Sequence, residues 1–413
     1  MEKVRLGLVG CGGMGTRHLY GLRELAGAPF NNIELCALCD IRRENAELAA
    51  DEAQTLLGVR PAVFTDLEAM ARQVPDLAMV DVVTDPSVHH TVVCQALDLG
   101  LHVLVEKPMA ITVGACLQML EAARRNNRLL SVAENYRRDP SARLVRHLLE
   151  TGAIGTPYMA TFHALRPGTR IFITPWRHLK DKGGPLIDLG VHFTDLIRYQ
   201  LGDVAEVYGD ARLVEPVRTK PEAIGDRYTF YQNRFQAMPN EVPATAEDTS
   251  VAVFRMASGV TLSWIVGMGG HGQCSGQLIL GDRGSLLSFG TRGGQARMQR
   301  AGESVLDQAA ILAETMGFAL DPLAEHFFPT RITVEDSAVD WKIIALEQHE
   351  LARAILGDGK IEVDGVEGMK DVAAVYAICE SARAGRAVRM DEVETCEVYA
   401  YQAEIDAALG ISP

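Results

Sequence analysis

The stretch Val4-Arg5-Leu6-Gly7-Leu8-Val9-Gly10-Cys11-Gly12-Gly13-Met14-Gly15 decides the fold. Val4 to Val9 is a short apolar run of the kind that forms a buried strand. It feeds without a spacer into a GxGxxG, where a helical pattern through His18, Leu22 and Leu25 begins. Each glycine has a task in such a junction: Gly10 permits the tight turn, Gly12 lets backbone approach a pyrophosphate, and Gly15 allows close packing of helix on strand. Gly13 and Met14 fall in the first helical turn, whose amides and positive dipole end face the same phosphates. A glycine turn with no ligand is the bland alternative. Asp40 argues against it, standing at the end of the second apolar run in Cys39-Asp40-Ile41-Arg42-Arg43. A carboxylate there can accept from both ribose hydroxyls of NAD and repels a 2′-phosphate. NAD is the expected cofactor, with Asp40, Ile41 and Arg42 beside its adenosine half. Arg42 and Arg43 keep NADP open, since a guanidinium can pair with a 2′-phosphate.

Downstream, Ile33 to Cys39, Ala62 to Phe64, Ala78 to Val83, His102 to Val105 and Leu129 to Ala133 read as further strands, with helices at Arg43 to Leu57 and Val113 to Asn126. That alternation marks βαβ units on a parallel sheet and sets a dinucleotide-binding domain at residues 1–135. Over 136–413 the rhythm becomes α+β and rich in hairpins, with strands at Tyr158 to Ala164, Ala205 to Val214, Thr249 to Met256, Val260 to Met268 and Gln277 to Leu280. Two late helices follow, Val334 to Leu356 and Val366 to Ala384, and the second is expected to pack back on the first domain.

With 40 basic against 54 acidic residues the chain carries a formal charge of -14, which sets nucleic acid aside as a partner. No run approaches the length of a membrane span, and the start has no apolar segment with a small-residue cleavage site. Eight cysteines thinly spread over 413 residues suit a reducing cytoplasm rather than a disulfide scaffold. Cys36 and Cys39 form a CxxC inside an apolar run, with no second pair, so buried strand cysteines are expected there and no metal.

Ligands of an open parallel sheet bind outside the carboxyl ends of its strands. The fourth strand ends there in Val83-Thr84-Asp85-Pro86-Ser87-Val88-His89 and the fifth in Val105-Glu106-Lys107-Pro108. Thr84, His89, Glu106 and Lys107 are thereby delivered to the cofactor crevice. His89 either touches the nicotinamide ribose or caps a helix, and Pro108 suits a cis bond after Lys107. Further on, Gly183-Gly184-Pro185-Leu186-Ile187-Asp188-Leu189-Gly190-Val191-His192 places a carboxylate and an imidazole four residues apart, on one face of a helix. Such a pair suits proton transfer.

Taken in order, the GxGxxG at Gly10, the Thr84 to His89 segment, Glu106-Lys107-Pro108, Tyr136-Arg137-Arg138-Asp139-Pro140 and Gly183 to His192 resemble the glucose-fructose oxidoreductase, inositol dehydrogenase and rhizopine-catabolism family (Gfo/Idh/MocA). The resemblance implies an α/β fold: an N-terminal Rossmann domain, then an α+β domain with a large, mostly antiparallel open sheet that often builds homodimers or homotetramers. Lys107 matches the family's active-site lysine, Asp188 its aspartate and His192 its catalytic histidine. The resemblance implies hydride transfer between nicotinamide and a secondary hydroxyl or keto carbon of a sugar or polyol, with His192 as acid–base, Lys107 stabilising an alkoxide and Asp188 orienting the imidazole or binding a neighbouring hydroxyl. It also admits an NAD-dependent glycosidase, working by transient oxidation, elimination and re-reduction, and a non-catalytic dinucleotide-sensing regulator. Two departures bear on loop geometry: Asp85-Pro86 stands for a Thr-Pro-Asn-like turn, and Pro185 for a third glycine.

Arg166, Arg170, Arg177, His178, Lys180 and Lys182 cluster around Trp176 just before the Asp188 helix. The expected substrate-side set is thus Lys107, Arg137, Arg170, Trp176, Arg177, Asp188 and His192, and the local excess of cations points to an anionic sugar, with Trp176 stacking on its apolar face; a solvated basic loop or a subunit contact is the equal alternative. The segment 215–247, with Tyr228, Phe230, Tyr231 and Phe235, reads as a lid, a binding loop or an intersubunit arm. Gly267-Met268-Gly269-Gly270-His271-Gly272 reads as a flexible hairpin.

Overall fold

The computed structural model describes residues 2–223, 229–290, 294–333 and 337–411. The first half contains β1 Val4–Val9, α1 Gly13–Ala26, β2 Ile33–Cys39, α2 Arg43–Leu57, β3 Ala62–Phe64, α3 Leu67–Gln73, β4 Met79–Val82, α4 His89–Asp98, β5 His102–Glu106, α5 Val113–Asn126 and β6 Leu130–Ala133. The strands form one parallel sheet in the order β3-β2-β1-β4-β5-β6. The order reverses between β1 and β4, so the crevice of this Rossmann sheet lies at their carboxyl ends. Apolar runs gave these strands correctly, because a parallel sheet covered on both faces leaves no polar alternation. Helix ends follow local chemistry: Thr112 accepts from Ala115 N to start α5, and Gly58, at φ +74°, closes α2.

The remainder contributes α6 Pro140–Glu150, β7 Pro157–Leu165, α7 Gly184–Leu201, β8 Val204–Arg212, β9 Val217–Thr219, α8 Thr229–Gln236, β10 Glu241–Pro243, β11 Thr249–Met256, β12 Thr261–Gly267, β13 Cys274–Gly281, β14 Gly284–Leu286, β15 Met298–Arg300, α9 Gln308–Glu314, α10 Pro322–Phe327, α11 Ser337–Ile355, α12 Gly365–Ala384 and β16 Val388–Arg389. Eight strands form the second sheet in the order β15-β14-β13-β7-β12-β11-β8-β16, antiparallel throughout except for β7 beside β12. The late helices begin close to their expected starts, although Val334 lies outside the described residues.

Helix α12 lies between the two sheets. A side chain on Gly365 would meet Leu120 at 2.8 Å and Leu130 at 3.0 Å, and one on Gly368 would meet Val132 at 2.5 Å, while Gly209 of β8 meets Ile378 of the same helix at 2.7 Å. The first late helix packs back as well, which the sequence reading did not anticipate: Ile344 of α11 seats against Gly21 of α1, and Gln348 donates to His18 O. Beneath the second sheet, Trp264 stacks between Phe162 and Phe254, and Phe193 of α7 meets Phe162 at 4.6 Å. Aromatic pairs of this kind add about 0.5–1.5 kcal/mol each beyond their buried area. They fix the rotation of α7 about its axis, so its Asp188–His192 face is set by the core behind it.

Candidate functional site

Three elements converge at the carboxyl edge of the Rossmann sheet. Lys107 follows β5, with the Lys107–Pro108 peptide cis, and its Nζ donates to Asp188 O at 2.9 Å and Asp188 Oδ1 at 3.1 Å. Arg177, in the 3-10 turn Pro175–His178, donates from Nε to Asp188 Oδ2 at 2.9 Å. One carboxylate thus bridges two cations. Burial opposes its charge, but Arg177 and Lys107 hold it well below the usual carboxylate range. For Lys107 burial disfavours the ammonium, and Asp188 and Glu106 override it, so the lysine stays charged.

His192, one turn beyond Asp188, does not pair with it. Its Nδ1 lies 2.5 Å from Glu134 Oε1, at the end of β6, and its ring stacks on Tyr136 with centroids 4.2 Å apart and planes 6° off parallel. The expected pairing of Asp188 with the imidazole is therefore corrected: Lys107 and Arg177 engage both Asp188 oxygens, and the carboxylate at His192 Nδ1 is that of Glu134. The strand-end rule that found Lys107 also applies to Glu134, one residue past β6.

Pro185 falls in the first turn of α7, where a missing N–H leaves nothing unpaired, so it replaces a glycine at no cost. Gly183 (φ +99°) and Gly184 (φ +77°) supply the left-handed turn before it. Asp85 accepts from Ser87 N and Oγ, which fixes the turn after β4.

The glycine loop has the shape a dinucleotide needs. Gly10 is at φ +97°, and a side chain on Gly15 would lie 2.1 Å from Gly10 O. Asp40 accepts from Cys11 N and Arg42 N, both at 2.8 Å, which ties its carboxylate to the loop and leaves lone pairs for ribose hydroxyls. Ile41 is 90% exposed beside it. Arg42 precedes α2 with its side chain exposed, and Arg43 pairs with Glu47 on the helix surface. Thr84 Oγ1, at the end of β4, is buried with no partner, as a group awaiting a ligand would be. Phe230 and Tyr231 of α8 rest on the loop, with the Phe230 ring 3.3 Å from where a Gly12 side chain would begin. This part of 215–247 thus lies over the glycine loop; Tyr228 lies outside the described residues.

Replacing Gly15 with alanine is expected to weaken NAD binding by about 1–3 kcal/mol, the usual cost of overpacking, because its Cβ meets backbone rather than a movable side chain. Titration calorimetry checks it, and unchanged affinity would mean that the dinucleotide seats elsewhere.

Four expected contacts are corrected. His89 is fully buried and its two ring nitrogens face Pro108 O at 3.0 Å and Thr84 O at 3.2 Å, so it braces the loops after β4 and β5. Glu106 turns back to His18, which also meets Asp81. Burial opposes the His18 charge, yet Asp81 and Glu106 raise it to about 10, and the resulting ion cluster locks α1 to β4 and β5 behind the loop. Arg137 is buried against Asp195 and under Tyr199. Arg170 lies exposed on the β9 side, bonded to Thr219, Lys220 and Glu222.

The basic stretch does not converge either. Lys180 pairs with Glu404, Lys182 reaches Ser87, and burial together with Arg218 and Arg177 lowers His178 to about 4, leaving it neutral. Only Arg177 of this group stands at Asp188, with its guanidinium over one face of Trp176 at 4.3 Å. An anionic lining is thereby reduced to a single arginine already paired with a carboxylate.

Cys36 and Cys39 sit in β2, the first half-buried and the second buried. Among the described residues, no helix is long and apolar enough to cross a membrane.

Comparison with known proteins extends these findings. Residues 4–134 match the profile of an oxidoreductase family with an NAD-binding Rossmann fold, and residues 142–287 match the GFO/IDH/MocA C-terminal domain. D-apiose dehydrogenase of Paraburkholderia graminis is 30% identical over 207 residues, 50% of this chain and 52% of that protein; the chain thus spans about half the length of that relative. Levoglucosan dehydrogenase of Pseudarthrobacter phenanthrenivorans is 26% identical over 399 residues, 92% of this chain and 97% of that protein. A levoglucosan dehydrogenase structure, in complex with NADH and levoglucosan, superposes with a TM-score of 0.73 at 22% identity, covering 94% of this chain and 100% of that one.

Proposed function

The chain belongs to the Gfo/Idh/MocA family of NAD-binding oxidoreductases, and on that basis we propose that it transfers hydride between NAD and a secondary hydroxyl or keto carbon of a sugar or polyol. The observation that carries this reading is the pair of bonds at the carboxyl ends of β5 and β6, Lys107 to Asp188 and His192 to Glu134, with Asp188 and His192 one turn apart on α7. The Gly10 to Gly15 loop, Asp40 and Thr84 would hold the dinucleotide, which when bound accepts or donates the hydride. The chain's own residues manage the proton and the charge. His192 takes the hydroxyl proton in oxidation and returns it in reduction. Lys107, kept cationic by Asp188, stabilises the alkoxide that develops on the same oxygen. Arg177 holds the second oxygen of Asp188, so the lysine is fixed from behind.

Relatives are named for apiose, a glucoside, levoglucosan and inositol, and all four names fit a neutral polyhydroxylated ring or chain. The outer face of the second sheet, with Tyr208, Val251 and Val253 exposed, suits a subunit contact between copies of the chain. The test is a panel of neutral sugars, glycosides and polyols with NAD, followed by NADH absorbance and product analysis together. At least one neutral sugar or polyol gives steady NADH formation that His192→Ala lacks. Aglycone release from glycosides without net NADH would replace this reading with the glycosidase one.

A further inference from the structure

Among the described residues, Glu134 is the carboxylate within hydrogen-bond distance of the His192 imidazole. Its side chain is 2% exposed, and Oε1 lies 2.5 Å from His192 Nδ1 and, at longer range, accepts from Tyr136 N at 3.5 Å. The same short segment supplies the Tyr136 ring that lies flat on the imidazole. A hydrogen bond fixes the tautomer, and a stacked ring fixes the plane.

We propose that Glu134 is the positioning residue of the acid–base group: it holds His192 with the proton on Nδ1, leaves Nε2 to exchange the proton of the reacting hydroxyl, and compensates the imidazolium charge that forms. This rests on the reading of His192 given above. In the oxidation direction the substrate O–H bond breaks and its proton goes to Nε2. The electron pair of the adjacent C–H bond leaves with its hydrogen as hydride to the dinucleotide, and the C=O bond forms. The Nδ1 proton stays in its bond to Glu134 throughout, as a carboxylate behind a catalytic imidazole requires.

The charged groups facing Glu134 are Lys107 and Glu106 after and within β5, Arg137 in its own turn, Asp195 and His192 on α7, Glu347 on α11 and Asp371 on α12. Burial raises the Glu134 carboxyl to about 7, against the pull of Lys107 and Arg137. Protonation reverses the hydrogen bond. A carboxylic acid donates to Nδ1, the imidazole then carries its proton on Nε2, and the base is lost. Oxidation therefore falls as pH drops through about 7.

The experiment compares Glu134→Gln, Glu134→Asp and His192→Ala with the unmodified enzyme, measuring kcat, substrate KM, NAD affinity and the pH profile of oxidation. Glu134→Gln is expected to lower kcat by about 10²–10⁴-fold with KM and NAD affinity little changed, and to move the acid limb away from 7, since only the protonation of His192 then remains to produce one. Glu134→Asp recovers part of kcat and keeps an acid limb. NAD affinity reports folding in each variant. A kcat near that of the unmodified enzyme in Glu134→Gln, or a lowered kcat with the acid limb unmoved, would overturn the proposal. If that happens while His192→Ala is inactive, the assignment of Glu134 alone fails; normal turnover in His192→Ala removes both.

Discussion

His192→Ala is expected to reduce turnover by about 10²–10⁴-fold, the usual contribution of a positioned acid–base group, while NAD affinity stays unchanged. The separation follows from where the residue sits. His192 is on α7, held by Glu134 and Tyr136 after β6, whereas the dinucleotide seat is built from the β1–α1 loop, Asp40 and the end of β4. The variant keeps α7 in place, because the rotation of that helix is set by Phe193 among Phe162 and Trp264 on the neighbouring face. Steady-state kinetics and calorimetric titration with NAD, run on the same preparation, check both halves. A loss of NAD affinity matching the loss of turnover would mean that His192 acts through the cofactor site.

The second large effect concerns Asp188. Asp188→Ala leaves Lys107 and Arg177 facing each other in a largely buried pocket without their common anion. Breaking a buried ion cluster from one side costs about 3–5 kcal/mol, which denaturant unfolding will read directly. The sign with pH is fixed by the direction of the shift. The folded-state value of Asp188 is depressed below its unfolded one, so its contribution is fully present above the unfolded value of about 3.9 and disappears as pH falls through the folded one. The stability gap between the unmodified protein and Asp188→Ala is therefore complete at neutral pH and closes only in strong acid.

Turnover of Asp188→Asn changes in a second way. With the charge gone, burial and Arg177 both push Lys107 toward its neutral amine. The alkaline loss of activity then moves to lower pH, whereas a merely structural role for Asp188 would leave that limb where it was.

How far the sequence reached depended on whether a signal was local. β1, β2 and β3 and helices α2 and α5 were legible to the residue, because buried parallel strands read as unbroken apolar runs and their helices carry clear starts and stops. Lys107 and Arg177 were legible as members of the site, the first from the strand-end rule. Glu134 was not, although the same rule reaches it: Glu134-Asn135 after an apolar strand looks like any polar turn, and its partner lies 58 residues further on, on α7. Arg137 failed for the converse reason. Its charge suggested a ligand, but Asp195, two turns beyond Asp188 on α7, takes it into the core. The basic stretch before α7 made the same demand on long-range information, since Glu404 and Ser87 draw its lysines apart. The late helices were recognised as helices, but nothing in their own pattern revealed that α11 would find Gly21 of α1.

The central claim is direct hydride transfer from a sugar carbon to the dinucleotide at Lys107 and His192. Its most direct measurement uses a turned-over sugar or polyol carrying deuterium at every carbon, incubated with NAD in ordinary water, followed by mass spectrometry of the reduced cofactor. The account predicts one deuterium on the nicotinamide ring, with none transferred by His192→Ala. Reduced cofactor carrying only solvent hydrogen, or no reduced cofactor while the sugar is consumed, would contradict it.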